Sequence, residues 1–277
     1  MFVSIKIFLI FLALVVGLKA ANAKPKDIHL EYSVFIGGLN VVNVKIGLNL
    51  DRFQYNIKAN AKTAGIVQRL FPWRMEAYSK GKINGEALQP VAAGQENNWK
   101  GKNRHIHVLF KQGVPEVDRI MPQPTKDSRT KVSRVLRVGS IDLASAILGI
   151  IRDLDFTRMC STSFKVFDGR RLYDLIVEAD GTSFLKANRY TMFSGKTVNC
   201  KLSIVKRAGF KRRDNPEWNS LDQTVRVSMG RVFNGAPLLP VRMGLETPLG
   251  QLISYLKAST LESNGEKKRF GRRFGVR

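Results

Sequence analysis

The chain has little cysteine, little histidine and few acidic residues, and each shortage excludes a class of function. Two Cys and three His are too few for a zinc cage, and no Cys-x-x-Cys pair is present for a thioredoxin-like redox centre. The sequence also lacks a Gly-x-Ser-x-Gly elbow, a His-Glu-x-x-His helix and a phosphate-binding glycine loop. We therefore expect no metal and no cofactor. Because no motif argues for an enzyme, we favour a non-enzymatic protein.

Long hydrophobic runs are absent as well, and the longest uncharged apolar stretch is a short one near the N-terminus. Lys6 is followed by the uncharged run Ile7 to Leu18, and Ala21-Asn22-Ala23 then places small residues where signal peptidase reads. This run is too short for a membrane-spanning helix, which needs about 20 apolar residues. These features predict a signal peptide over residues 1–23, cleaved near Ala23. The protein is then expected in a bacterial periplasm and is not an integral membrane protein.

Basic residues outnumber acidic ones, 46 against 22, and the net charge is +24. Removing Lys6 and Lys19 with the signal peptide lowers this charge to +22. Such an excess favours a polyanionic partner. In the periplasm that partner is anionic lipid or lipopolysaccharide, and nucleic acid is excluded by export. The alternative is that the charge serves solubility alone.

The densest basic cluster lies in the C-terminal segment 263–277. Its last twelve residues carry six Lys or Arg, one Glu and two Phe. We expect a basic, disordered tail here, because chain ends are ordered only where something holds them. Contact with an anionic surface is the alternative.

Cys160 and Cys200 are the only cysteines and lie 40 positions apart. In an oxidising compartment an isolated pair usually forms a structural disulfide. We predict this disulfide, with two free buried thiols as the alternative.

Alternating apolar residues dominate the rest of the chain, as in Ile28 to Ile36 and Val41 to Leu50. Period-two segments separated by short turns are typical of an antiparallel meander. One amphipathic helix is predicted, from Ile141 to Leu154 with Ser140 as its N-cap. A long loop is expected around residues 113 to 136, where prolines cluster.

The fold class is therefore mainly β. We predict a single domain over residues 24–262, built as one large, strongly curved antiparallel sheet or open barrel. About a dozen strands are expected to wrap around one central helix, since a long meander must cover its edges. An eight-to-ten-stranded barrel with a separate small sheet is the alternative.

The most specific run is a hairpin motif between two alternating strands, in which an Asp-Gly pair tolerates a turn with positive φ. Its members are Asp168, Gly169, Arg170, Arg171, Tyr173 and Asp174. With this run the chain resembles the uncharacterised exported proteobacterial proteins of domain-of-unknown-function family 3108. Further segments that agree are Tyr32 to Leu39, Thr63-Ala64-Gly65, Phe71-Pro72-Trp73, the two cysteines around the hairpin, and Pro240 to Leu256. The resemblance implies a periplasmic, β-rich fold and carries over no catalytic residue.

Three groups of residues are candidates for chemistry or contact. His105 and His107 share one strand face but lack a third metal ligand, so a polar strand face is the preferred interpretation. Asp168 and Asp174 form a conceivable acid and base pair. Their expected role is structural, with Asp174 paired to Arg170 or Arg171.

The third group is an apolar turn flanked by arginines, made of Arg69, Phe71, Trp73 and Arg74. It is interpreted either as a hydrophobic lip that contacts a ligand or partner, or as part of the core.

The leading functional hypothesis is a non-enzymatic envelope protein that holds a lipid or lipidated ligand in the concave face of its sheet. The alternative is a scaffold that binds envelope or cell-wall machinery through an outer surface. A hydrolase acting on wall or lipid is the third hypothesis. The motivation for the first is the β-rich pattern, the surplus positive charge and the lack of catalytic motifs.

Overall fold

The computed structural model describes residues 26–123, 131–210 and 224–271. The predicted signal peptide lies outside these residues, as do residues 124–130, 211–223 and 272–277. Within them the chain is mainly β, as predicted. The strands are β1 (Lys26–Ile36), β2 (Leu39–Leu50), β3 (Gln54–Thr63), β4 (Trp73–Asn84), β5 (Ala87–Trp99), β6 (Lys102–Lys111), β7 (Val114–Met121), β8 (Thr162–Phe167), β9 (Leu172–Leu185), β10 (Gly195–Ala208), β11 (Val225–Arg231), β12 (Leu238–Thr247), β13 (Gly250–Ser263) and β14 (Glu266–Gly271).

Three helices interrupt the strands in the described part of the chain. Two are short: α1 (Gly65–Leu70) joins β3 to β4, and α2 (Arg134–Arg137) follows β7. The long one, α3 (Leu143–Thr157), precedes β8. None of the described helices is both long and apolar enough to cross a bilayer.

All strands belong to one antiparallel sheet of 14 strands in the order β7-β6-β5-β4-β3-β2-β1-β13-β12-β11-β10-β9-β8, with β14 paired to β13. Neighbours in space are mostly neighbours in sequence, as is typical of an antiparallel meander. The sheet curves until its two end strands approach each other. The predicted barrel-like sheet around a central helix is therefore confirmed.

Side chains close the seam between the two ends of the sheet. Val108 of β6 packs in one buried cluster with Phe167 and Leu172, which flank the 168–171 hairpin. The Arg170 guanidinium donates to the Pro122 carbonyl oxygen at 2.8 Å, so the hairpin motif reaches across to the β7 end. The most specific run of the sequence thus lies where the barrel closes.

Helix α3 runs inside the curved sheet and differs slightly from its prediction. Asp142, not Ser140, is the N-cap: its carboxylate accepts from the Ser145 backbone N–H at 3.1 Å. The shift arises because Ile141 forms a bridge to β8, donating to the Lys165 carbonyl oxygen at 2.9 Å. The helix then continues to Thr157, three residues beyond the predicted Leu154.

Two expectations about irregular segments are wrong. The predicted loop around 113 to 136 contains strand β7, and the predicted tail 263–277 contains strand β14. In the second case Asn264 and Gly265 both adopt positive φ, so they form a tight hairpin that pairs residues 266–271 with β13. Phe270 of β14 packs edge-on against Phe193, with ring centroids 6.5 Å apart. The sheet therefore extends to Gly271, and residues 272–277 lie outside the described part.

The disulfide between Cys160 and Cys200 is present. Cys160 follows the end of α3 and Cys200 lies in β10, with Cα atoms 5.6 Å apart. Both residues are buried in the largest core cluster. The bond therefore ties the C-terminal end of the helix to the sheet wall.

Replacing both cysteines, Cys160→Ala/Cys200→Ala, should lower the free energy of unfolding by about 4 kcal/mol, since the bond closes a loop of 40 residues. Urea unfolding with and without reductant measures this. Reductant should shift the midpoint of the unmodified protein and leave the variant unchanged. Two reactive thiols in freshly isolated, denatured protein would contradict the bond.

Gly169→Ala should destabilise the protein by about 2 kcal/mol or more. Gly169 has φ of +89°, and a methyl group there overlaps the Ile106 side chain across the seam. Gly181→Ala is the matched control, because Gly181 has φ of +76° with open space around it. Thermal unfolding should show the larger loss for Gly169→Ala. Equal losses would mean that the seam contact contributes nothing.

Candidate functional site: an apolar cavity beside the central helix

Helix α3 packs against two walls of the sheet and leaves a third side uncovered. Ala146, Ile150 and Leu154 lie in the core cluster with strands β8 to β12. Leu148 faces the other way and packs with Tyr55 and Ile57 of β3. The third side of the helix carries apolar residues that the sheet does not bury: Leu143 and Ile147 are exposed, and Ile151 is half-buried.

A cavity of about 690 Å³ occupies the space between this side of α3 and strands β1 to β3. This volume falls in the range of about 300–1,000 Å³ that is usual for small-molecule sites. Alternation along the strands aims every second side chain inward. The apolar lining comes from β1 to β3 (Ile28, Leu30, Tyr32, Ile46, Leu48, Leu50, Ile57 and Ala59), from β12 and the turn before it (Pro237, Leu239 and Pro240), and from the helix (Ala144, Ile147, Leu148 and Ile151).

The mouth of the cavity lies at the C-terminal end of α3 and is more polar than its interior. Phe156 stands at this mouth with 81% of its surface exposed. Charged side chains surround it, and they are of both signs: Lys26, Glu86, Arg152, Asp153 and Asp155. An apolar interior with a charged entrance suits an amphiphile whose chain is buried and whose headgroup stays in water.

Within the interior, the Tyr32 hydroxyl donates to the Pro240 carbonyl oxygen at 3.0 Å. Burial raises the pKa of this phenol well above its ordinary value, so it stays neutral. Its one polar atom is thereby satisfied, and the cavity wall around it remains apolar.

A buried polar network fixes the other end of the helix. The Ser145 hydroxyl lies 2.5 Å from the Asp142 carboxylate, 2.6 Å from the Tyr55 hydroxyl and 3.0 Å from the Ser79 hydroxyl. Ser79 also donates to the Asp142 carboxylate at 3.0 Å. Burial raises the pKa of Tyr55 to about 12. The network joins α3 to β3 and β4, and each member has a partner, which is the condition for a buried polar cluster to be stable.

The hairpin motif has a structural arrangement. Asp168 accepts from the backbone N–H groups of Arg170 and Arg171 at 2.9 and 2.7 Å. Tyr173 is buried in the core cluster of α3. The predicted partner of Asp174 is wrong: its carboxylate accepts from Arg207 on neighbouring β10, which lies two residues beyond Val205, the residue opposite Asp174. Neither aspartate lines the cavity.

The histidines and the apolar turn lie away from the cavity as well. His105 and His107 have ring centroids 5.7 Å apart, and His107 is near Tyr78 and Glu96. Across the described ranges no three potential metal ligands come together. Phe71 is exposed, while Trp73 donates from Nε1 to the Asn97 side-chain oxygen at 3.1 Å.

Sequence reasoning did not identify the cavity residues as a site. The signal was present in the inward alternation of Ile28, Leu30 and Tyr32 and in the second apolar side of α3. A helix that is apolar on two sides cannot bury both of them against a single wall of the sheet. The pattern therefore indicates a helix that the sheet encloses. The network of Asp142, Ser145, Ser79 and Tyr55 had no readable signal, because its members come from three separate elements.

Comparison with known proteins identifies a family. The family model described as "Protein of unknown function (DUF3108)" matches residues 31–257. Because the match covers most of the chain, the chain belongs to this family, and the resemblance stated from the sequence is confirmed. No protein of curated function matches the chain.

Among solved structures, the chain is similar to a beta-barrel-like protein of domain of unknown function DUF1849 from Brucella abortus. The TM-score is 0.47 at 9% sequence identity, with 91% of this chain and 99% of that chain covered.

The stability of the protein should depend on the ionisation of Asp142. Burial raises the pKa of this carboxyl, and the hydrogen bonds from Ser145 and Ser79 only partly oppose the shift. A carboxyl whose pKa is higher in the folded state contributes to the free energy of unfolding while it is protonated. This contribution is complete below the unfolded-state pKa, near 3.8, and is lost as the pH rises through the folded-state pKa. Asp142→Asn keeps the N-cap acceptor and removes this loss.

The free energy of unfolding of Asp142→Asn, relative to the unmodified protein, should therefore increase as the pH is raised from about 4 to 7. Urea unfolding at several pH values measures the difference. Glu266→Gln, at an exposed acid, controls for the loss of one negative charge. A difference that stays constant with pH would contradict the role given to Asp142.

Proposed function

We propose that this member of the DUF3108 family is a non-enzymatic protein of the bacterial periplasm that holds the apolar chain of an amphiphile in the cavity beside α3. The observation that carries the proposal is the cavity itself, about 690 Å³ and lined by aliphatic side chains. The cavity is open at its mouth, and an open apolar cleft of this size is typical of small-molecule sites. The two cysteines joined in a disulfide and the leader-like N-terminus support an exported protein.

The chemistry of the lining selects the ligand class. Burial of apolar surface contributes roughly 25 cal/mol per Å², and the cavity walls offer few hydrogen-bonding groups to a polar guest. An acyl chain or the lipid moiety of a lipidated peptide fits such walls, while a sugar or a nucleotide would lose hydrogen bonds to water without replacement. The charged residues at the mouth are suited to a polar headgroup.

The two other hypotheses have weaker support. If the protein were only a scaffold that binds partners through its outer surface, its interior would be expected to be filled, and the cavity argues against this hypothesis. A hydrolase that uses Asp168 and Asp174 needs them in a cleft, but each is engaged by an arginine at the surface.

The direct test is native mass spectrometry of protein purified from its own cells without detergent, together with organic extraction and lipid analysis. We expect a bound amphiphile with at least one long apolar chain. Protein that carries no such ligand, and that does not take up a fluorescent fatty acid in solution, would overturn the proposal.

A cavity-filling substitution locates the site. Ala144 lines the cavity from α3, so Ala144→Phe should weaken binding of a fluorescent fatty acid by at least about tenfold. Ala187→Phe, at an exposed position outside the cavity, is the matched control and should bind as the unmodified protein does. Equal affinities for both variants would place the ligand elsewhere.

A further inference from the structure

The end of the barrel opposite the cavity mouth carries exposed apolar side chains. They come from three neighbouring connections: the β1–β2 turn, helix α1 with Phe71, and the β5–β6 turn. Each of the five is between 45% and 63% exposed: Leu39, Ile66, Leu70, Phe71 and Trp99. We call this surface the tip. Helix α1 buries none of its residues, although Ile66 and Leu70, four positions apart, lie on one side of it.

The tip is held in place by backbone contacts between its connections. The Ala64 N–H donates to the Val41 carbonyl oxygen at 3.0 Å, which joins α1 to β2. The Lys100 N–H donates to the Pro72 carbonyl oxygen at 3.3 Å, which joins the β5–β6 turn to the segment after α1. The apolar side chains are therefore presented together on one preformed surface.

The three segments that form the tip are basic, while Glu246, beside the β12–β13 turn, is an acid at the same end of the sheet. Segments 36–44, 62–74 and 99–104 contain no acidic residue and six basic ones: Lys62, Arg69, Arg74, Lys100, Lys102 and Arg104. Within the described ranges none of the six makes an ion pair with an acidic side chain. The Lys100 ammonium lies 5.2 Å from the centre of the Phe71 ring, so charge and apolar surface are intermixed.

The two ends of the barrel differ in charge. The cavity mouth mixes both signs, with Lys26, Arg52 and Arg152 among Asp51, Glu86, Asp153 and Asp155, whereas the charged residues in the three segments of the tip are all basic. An anionic surface therefore attracts the basic tip more strongly than the mixed-charge mouth.

We infer that the tip docks on the surface of a bilayer that contains anionic phospholipids. Leu70, Phe71 and Trp99 enter the interfacial region, and the six basic residues lie at the level of the phosphates. Aromatic residues with flanking Lys and Arg are the side chains that favour this interface. A protein partner would need a complementary acidic surface with an apolar centre, and it is distinguished from the bilayer by the test.

The inference is tested with the protein purified from its own cells and sedimented with vesicles. Binding is expected to vesicles of phosphatidylcholine mixed with phosphatidylglycerol, to be weaker for phosphatidylcholine alone, and to fall with added salt. Leu70→Ser/Phe71→Ser should lower the partition coefficient by at least about tenfold. Arg69→Gln and Lys100→Gln should each lower it about fivefold, and only for the anionic vesicles.

Matched controls exist at the other end of the barrel. Phe53 is 67% exposed with the Arg52 guanidinium 5.4 Å from its ring centre, and Phe184 is also exposed. Phe53→Ser/Phe184→Ser and Arg52→Gln should bind vesicles as the unmodified protein does. All these positions are exposed, so thermal unfolding should be unchanged in every variant.

Two results would overturn the inference. One is undiminished vesicle binding by Leu70→Ser/Phe71→Ser, and the other is an equal loss in the Phe53→Ser/Phe184→Ser control. Fluorescence adds a readout of position: brominated lipids should quench the unmodified protein more than Trp99→Phe. Equal quenching of the two proteins would show that Trp99 remains outside the bilayer.

Discussion

The position of α3 determines what this molecule encloses. A sheet of 14 strands that curves to near closure surrounds more space than one helix of 15 residues fills. The helix packs on two walls, through Ile150 and Leu154 on one and Leu148 on the other. The third side lines the cavity, whose other walls are β1 to β3 and β12. Cavity size and shape follow from where the helix is fixed.

Both ends of the helix are fixed by specific bonds in addition to apolar packing. At the N-terminal end, Asp142 and Ser145 are bonded to side chains of β3 and β4, and at the C-terminal end the Cys160–Cys200 bond reaches β10. Apolar packing alone allows a helix to slide or rotate at small cost, whereas hydrogen bonds and covalent bonds select one position. A site whose walls are set before the ligand arrives loses less entropy on binding. The network and the disulfide thus prepare the cavity.

Local patterns in the sequence predict much of this fold, and contacts between distant elements explain the rest. Period-two alternation and the Asp168-Gly169 turn predict the meander, and the 3.6-residue pattern predicts α3. The Asn264-Gly265 pair was an equally local signal, and its hairpin shows that basic composition alone does not make a disordered tail. The pairing of Asp174 with Arg207 depends on strand register. The seam and the cavity depend on curvature, which no single segment encodes.

The tip and the cavity mouth lie at opposite ends of the barrel, so docking of the tip fixes the orientation of the molecule on a bilayer. Strand β3 runs from the mouth to the tip over 10 residues, a length of about 33 Å at roughly 3.3 Å per residue. With the tip on a bilayer, the mouth stands away from the lipid by about that distance, farther than a Debye length of about 8 Å at physiological salt. The acids at the mouth are then largely screened from the anionic headgroups. A ligand must enter or leave the cavity from the aqueous side, so exchange with a second protein or with free monomer is favoured over direct extraction from the docked bilayer.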